Sequence, residues 1–184
     1  MGFSADSGQH TGQSGVLLTL ERFNQMADAE ARAALGECCG STEWVDAMVD
    51  RRPFQSESQL LDAADETWQR LTETDWRQAF ASHPQIGAAR SADDSSHAPW
   101  SQQEQAGMKD AGDATRQAMA DGNRAYREKF GYIFIVCATG KSSDEMLAIL
   151  AERLKNDAAT EIRIAAEEQR KITRLRLQKM LAPE

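Results

Sequence analysis

Three cysteines in 184 residues, none in a Cys-x-x-Cys spacing, leave neither a disulfide framework nor a zinc-ligand pattern. Long apolar runs are missing as well, and no stretch approaches the roughly 18 residues that cross a bilayer. Positive charge is in the minority: 21 Lys and Arg face 29 Asp and Glu, for a net charge of −8. Nucleic acids and anionic membranes want a basic face, so both are excluded as partners. An anionic small molecule is not excluded, because one or two well-placed cations suffice to hold it. No secretory signal is read at the start, which with the unpaired cysteines leads to the expectation of a reducing cytoplasm. The final Ala182-Pro183-Glu184 is not a peroxisomal address.

Strand chemistry is scarce too. It is confined to Tyr132-Ile133-Phe134-Ile135-Val136-Cys137. A lone strand has nothing to pair with, so this run is expected to be buried chain, extended or helical, crossing the core. The Gly140-Lys141-Ser142 that follows suggests phosphate binding only superficially. A phosphate loop of the form G-x-x-x-x-G-K-[ST] would need glycine where Ile135 stands.

What is present is helix punctuation. The 41% apolar and 27% charged content is that of a soluble globular protein. The length suits one domain that buries about two-thirds of its unfolded surface. Residues 1–15, rich in Gly, Ser and Gln, read as a disordered tail containing His10, and residues 16–184 as the domain. Thr19 opens LERFNQM, and Asp28 opens AEARAALGECC with Gly40 as its stop. Thr42 opens EWVDAMVD, and Ser56 with Gln59 boxes the start of ESQLLDAADETWQRL. Thr74 opens DWRQAFAS, which must end at His83 because Pro84 follows. Ser101 with Glu104 opens a long helix, dotted with glycine, to about Lys129. Ser142 with Glu145 opens DEMLAILAERLKN, and a last helix runs from about Thr160 to Leu181. The fold class is therefore all-α, one compact domain of seven or eight helices, with a polar loop over residues 87–99.

Four places hold residues able to do chemistry. On the last helix, at about 100° per residue, Ile162, Ala165, Ala166, Ile172, Thr173 and Met180 share one buried face. Arg163, Arg170, Arg174 and Glu167 fall on a solvated side. Arg176 falls within the apolar arc beside Gln169. An arginine there must find an anion. That anion is either an internal carboxylate or the carboxylate of a substrate. His83 is displayed by Pro84 on a rigid corner at a helix end. It serves either as a proton-transfer group or as a partner for free helix carbonyls. His97, in the polar loop, reads as solvated. Ser101 and Glu104 form a capping box, yet the same helix start can offer N–H donors to an anion, and its carboxylate can accept the N–H groups of a urea-like ligand. The run from Phe130 to Ser142 is either plain core or a backbone edge presented to a planar ligand.

Taken together and in order, HPQIG from His83, S-x-x-EQ at 101–105, FGYIFIVCATGKS from Phe130, and E-x-x-KI-x-x-LRL from Glu168 to Leu177 resemble the OHCU decarboxylases. These act on 2-oxo-4-hydroxy-4-carboxy-5-ureidoimidazoline in urate breakdown. The opening FNQMADAEARAAL is similar as well, and the resemblance extends from about residue 16 to 181. It implies an all-helical, usually dimeric enzyme without metal or organic cofactor, here in a bacterial, cytoplasmic form. It further implies that His83 is the catalytic histidine and Pro84 its neighbour in the pocket. Ser101, Glu104 and Gln105 would meet the substrate, and Arg176 would be the substrate arginine. The backbone of Phe134, Ile135, Val136, Cys137 and Ala138 would bind ring and ureido atoms. Two other readings stay open: a helical hydrolase of another ureide, and a non-catalytic helical interaction module.

Overall fold

A computed structural model describes residues 18–86 and 111–181. Among them are eight helices: α1 Leu20–Gln25, α2 Asp28–Cys38, α3 Thr42–Asp50, α4 Glu57–Gln69, α5 Glu73–Ala81, α6 Asp113–Phe130, α7 Ser143–Arg153 and α8 Ala158–Met180. No strand occurs among the described residues; one isolated bridge joins Leu18 to Leu181.

The helices start where a side-chain oxygen can take an orphan N–H. Thr19 caps α1 by accepting from Arg22 N at 3.2 Å. Ser142 and Glu145 form the expected reciprocal box at 2.7 and 3.2 Å. Elsewhere the cap differs from the expected residue. Ser41, not Thr42, caps α3, because Ser41 is buried and reaches Trp44 N while the Thr42 hydroxyl accepts from Gln78. Thr72, not Thr74, opens α5, its backbone N–H and hydroxyl both donating to Asp75. Asp28 does not cap α2; Ala27 precedes it, and the Asp28 carboxylate pairs with Arg52 at 2.6 Å. Ser56 caps α4 as expected, but Gln59 takes the N–H of Gln55 rather than that of Ser56. α8 begins at Ala158, two residues before the expected Thr160, because the Asp157 carboxylate caps it by accepting from Thr160 N at 2.9 Å.

Two further departures concern glycine. A helix continuous from Ser101 to Lys129 does not form, because Gly112 is extended and α6 begins only at Asp113. Gly40 does not end α2 through a left-handed turn. Cys39 ends it, and Gly40 is needed for closeness: a Cβ there would stand 2.4 Å from the Ser82 Cβ. The turn between α2 and α3 is thereby pressed against the end of α5. Gly131 does adopt the left-handed conformation, at φ 78°, and its N–H returns to Arg127 O at 2.9 Å to stop α6.

The long α8 is the spine. It packs against α2, α4 and α5, while α3 bridges α2 to α4 and α6 lies along α7. Its buried stripe holds Ile162, Ala165, Ala166, Ile172, Thr173 and Met180, the face read from the helical period, and Leu177 besides. Indole donors tie the layers: Trp68 Nε1 to Ala166 O at 3.0 Å, and Trp44 Nε1 to Ala64 O at 3.2 Å. Arg170 and Arg174 are half-buried rather than solvated, because both reach Asp65 of α4 at 2.8 and 3.1 Å.

A candidate active site between the α5 corner, α8 and the crossing segment

The site begins with the end of α5. The N–H groups of Ser82 and His83 still reach back to Ala79 O and Phe80 O at 3.2 Å each. Pro84 has no N–H to continue the series, so the chain turns. The corner is then tied to α6. Buried Asn123 donates to Ile86 O at 2.9 Å, and Arg127 donates to Gln85 Oε1 at 3.1 Å. With Gly40 packed on Ser82 from the other side, the imidazole is held by its backbone on two sides.

Arg176 comes to this corner from α8. It is 6% exposed, inside the apolar face, as the helical period requires. Its Nη1 donates to Glu37 O at 3.3 Å and its Nη2 stands 3.2 Å from His83 Nδ1. Among the described residues these partners are a carbonyl and an imidazole, not the carboxylate of an internal salt bridge. A guanidinium only donates, so Nδ1 of His83 must accept, and the proton of the neutral ring then sits on Nε2. Nearby Cys38 and Cys39 do not balance the charge of Arg176. Burial pushes both thiols up, Cys38 well above the usual thiol range and Cys39 to about 11, with Arg176 opposing the shift only in part.

The run from Tyr132 to Ala138 is neither helical nor strand-paired, and all of it except Ile133 is buried. With His83, Pro84, Ile86 and Ile172, its residues Phe134, Ile135 and Val136 line a cleft. Its peptide groups are not equivalent. Arg153 donates to Ile135 O. Cys137 N–H donates to Glu168 at 2.8 Å, and Cys137 O accepts from Lys141 Nζ at 2.6 Å. Ala138 O accepts from Lys141 N at 3.0 Å. The peptide groups of Phe134 and Val136 form no hydrogen bond with the described residues. Buried backbone groups are rarely left unpaired, so a ligand or water is their natural partner.

His83, Pro84, Arg176 and Phe134–Val136 are thus brought together. Cys137 and Ala138 continue the same segment, with peptide groups largely engaged by the protein. Ser101, Glu104, Gln105 and His97 lie outside the described residues. Among the described residues, no group of three or more His, Cys, Asp or Glu stands where it could hold a metal ion.

Behind the segment lies a buried cluster that sequence reasoning missed. Glu161, fully buried, accepts from Arg153 Nε at 2.6 Å, from the Tyr126 hydroxyl, and from Asn156 at 2.7 Å. The Arg153 guanidinium also lies 4.8 Å from the centre of the Phe134 ring. A signal for it existed: Glu161 falls at about 260° on the wheel of α8, at the edge of the apolar arc.

Comparison with known proteins bears on what this arrangement is for. The family model described as OHCU decarboxylase matches residues 24–178. The uric acid degradation bifunctional protein TTL of Arabidopsis thaliana is 40% identical over 147 residues, which are 79% of this chain but 45% of that protein. The chain therefore spans less than half the length of that relative. The 2-oxo-4-hydroxy-4-carboxy-5-ureidoimidazoline decarboxylase of Haloferax volcanii is 27% identical over 168 residues, 91% of this chain and 98% of that one. A crystal structure of an OHCU decarboxylase in the presence of (S)-allantoin superposes with a TM-score of 0.71 at 34% identity. It covers 86% of this chain and 100% of that one.

Proposed function

The chain belongs to the OHCU decarboxylase family, and from that premise we propose that it converts 2-oxo-4-hydroxy-4-carboxy-5-ureidoimidazoline to (S)-allantoin in urate breakdown. The observation that carries the reading is the pairing of His83 Nδ1 with Arg176 Nη2, where His83 lines a cleft together with Pro84 and the Phe134–Val136 segment. A planar, anionic, urea-containing ligand needs a cation, a proton-transfer group and peptide donors and acceptors in one place.

The substrate supplies its own electron sink. Carbon 4 bears both the carboxylate and a hydroxyl, and carbon 5 is an imine. The bond from carbon 4 to the carboxylate breaks, CO₂ leaves, and the electron pair moves through carbon 5 to the imine nitrogen, which takes a proton. The hydroxyl of the resulting enol then loses its proton as carbon 4 becomes a carbonyl, and carbon 5 gains a proton on one face. No metal or organic cofactor is required by this sequence.

Under this reading His83 moves the proton at the hydroxyl or at carbon 5, with Nε2 as the working nitrogen because Nδ1 faces Arg176. Arg176 orients the ring and neutralises a substrate oxygen. Holding the departing carboxylate tightly would stabilise the ground state, so another oxygen is its better target. Pro84 and Ile172 exclude water, and the Phe134 and Val136 peptides hold the ring and ureido atoms. Glu104 would grip ureido or ring N–H groups, with Ser101 and Gln105 beside it. Homodimeric assembly and a cytoplasmic setting complete the proposal. Sedimentation at micromolar concentration tests the first.

The experiment is to generate the substrate in situ from urate and measure CO₂ release with and without the protein. Release accelerated at least a hundredfold supports the reading. Spontaneous-rate decay unchanged by the protein, or ureido hydrolysis with ammonia as product, would overturn it.

A further inference from the structure

Along the crossing segment, tied and untied peptide groups alternate. Ile135 and Cys137 are tied to the protein, whereas Phe134 and Val136 are not. That period of two is the period of extended chain, in which successive residues direct their peptide groups to opposite edges. In a sheet, the occupied edge would be held by a neighbouring strand. Here, among the described residues, there is no neighbouring strand, and charged side chains take its place. The Cys137 N–H meets the Glu168 carboxylate at 2.8 Å, and its C=O meets the Lys141 ammonium at 2.6 Å. Lys171 holds the other oxygen of Glu168 at 2.6 Å, fixing the carboxylate in turn. Hydrogen bonds assisted by charge at both the donor and the acceptor of one residue are shorter and stronger than ladder bonds.

We infer that Glu168 and Lys141 are positioning residues, which clamp Cys137 and so keep the Phe134 and Val136 peptides in register on the cleft edge. A slip of one residue would turn the reading edge toward the protein and the tied edge toward the ligand. The placement of Glu168 also gives α8 a second task. Glu168, Ile172 and Arg176 recur every four residues on one side of the helix. The first sets the backbone edge, the second walls the cleft, and the third meets His83. One rigid helix therefore sets the distance between the peptide reader and the guanidinium, about 12 Å along the axis from Glu168 to Arg176.

The inference rests on the decarboxylase reading, and the test separates the two. Glu168→Ala removes the acceptor; Glu168→Gln keeps a carbonyl oxygen for the Cys137 N–H; Lys141→Met removes the second clamp. Glu168 lies near the surface, so each variant is expected to fold. In Glu168→Ala and Lys141→Met, KM for the ureidoimidazoline should rise roughly tenfold with kcat within about threefold of wild type, the size of one lost charged hydrogen bond. Glu168→Gln should stay within about threefold in both constants. Amide exchange across residues 134–138, read by mass spectrometry, should quicken at least tenfold in Glu168→Ala and not in Glu168→Gln. Wild-type KM in Glu168→Ala, equal defects in Ala and Gln, or unchanged exchange overturns the clamp. If wild type shows no turnover, the decarboxylase reading fails, and the exchange measurement alone still decides the clamp.

Discussion

Glu161→Ala should be the most damaging single substitution outside the cleft. The wild-type carboxylate is fully buried and satisfies Arg153, the Tyr126 hydroxyl and the Asn156 amide. Its removal leaves a guanidinium that is 6% exposed with the Ile135 carbonyl and the Tyr126 oxygen as its polar partners. Breaking one side of a buried pair generally costs about 3–5 kcal/mol, mostly the desolvation of the charge left behind. For a domain of this size each kcal/mol is about 3 °C of melting temperature, so the transition should fall by roughly 10 °C. Arg153→Met should fall by a similar amount, because a buried carboxylate is then stranded. The double variant Arg153→Met/Glu161→Ala removes both charges together. It should recover most of the loss, giving a coupling energy of about 2 kcal/mol or more in a double-mutant cycle. Urea denaturation followed by far-ultraviolet circular dichroism measures all four proteins. A Glu161→Ala loss under about 1 kcal/mol, or single effects that simply add, would refute the reasoning.

Arg176→Lys keeps a positive charge but lacks the planar fork that reaches Glu37 O and His83 together. Its kcat/KM should fall at least thirtyfold with little change in melting temperature, as read by decarboxylation and thermal denaturation. Cys38 and Cys39 should resist iodoacetamide at pH 8 in the folded protein and react on unfolding, because burial holds both as thiols. Both pKa values are raised in the folded state, so the associated stability is complete below the unfolded thiol pKa near 8.5 and is lost above it. The melting temperature should therefore decline from about pH 9 upward, and a Cys38→Ala/Cys39→Ala variant should decline less.

Local chemistry explains which parts of this molecule could be read from its residues. The period of α8 placed Arg176 on a buried face, and the structure puts it there, because 3.6-residue spacing survives any tertiary context. Pro84 likewise announced the corner that carries His83. Caps were displaced by one or two residues at Ser41 and Thr72, where two nearby hydroxyls compete and the choice falls to burial at Ser41 and to the Asp75 carboxylate at Thr72. The partners of Arg176 could not be read, since Glu37 and His83 are remote in sequence and meet only through the packing of α2, α5 and α8. The division of the crossing segment into tied and untied peptides was equally hidden. Phe134 to Ala138 look uniform as side chains, and the distinction lies in Arg153, Lys141 and Glu168. Glu161 was legible in principle from its wheel position but resembles any first-turn acid of a helix.

The central claim is tested most directly by the handedness of the product. Circular dichroism should follow allantoin formation from substrate generated in situ, for wild type and for His83→Asn. The account predicts a rapid signal of the (S) hand with wild type, and only slow, optically silent decay with a folded His83→Asn protein. Stereospecific turnover at the wild-type rate in that variant would contradict it.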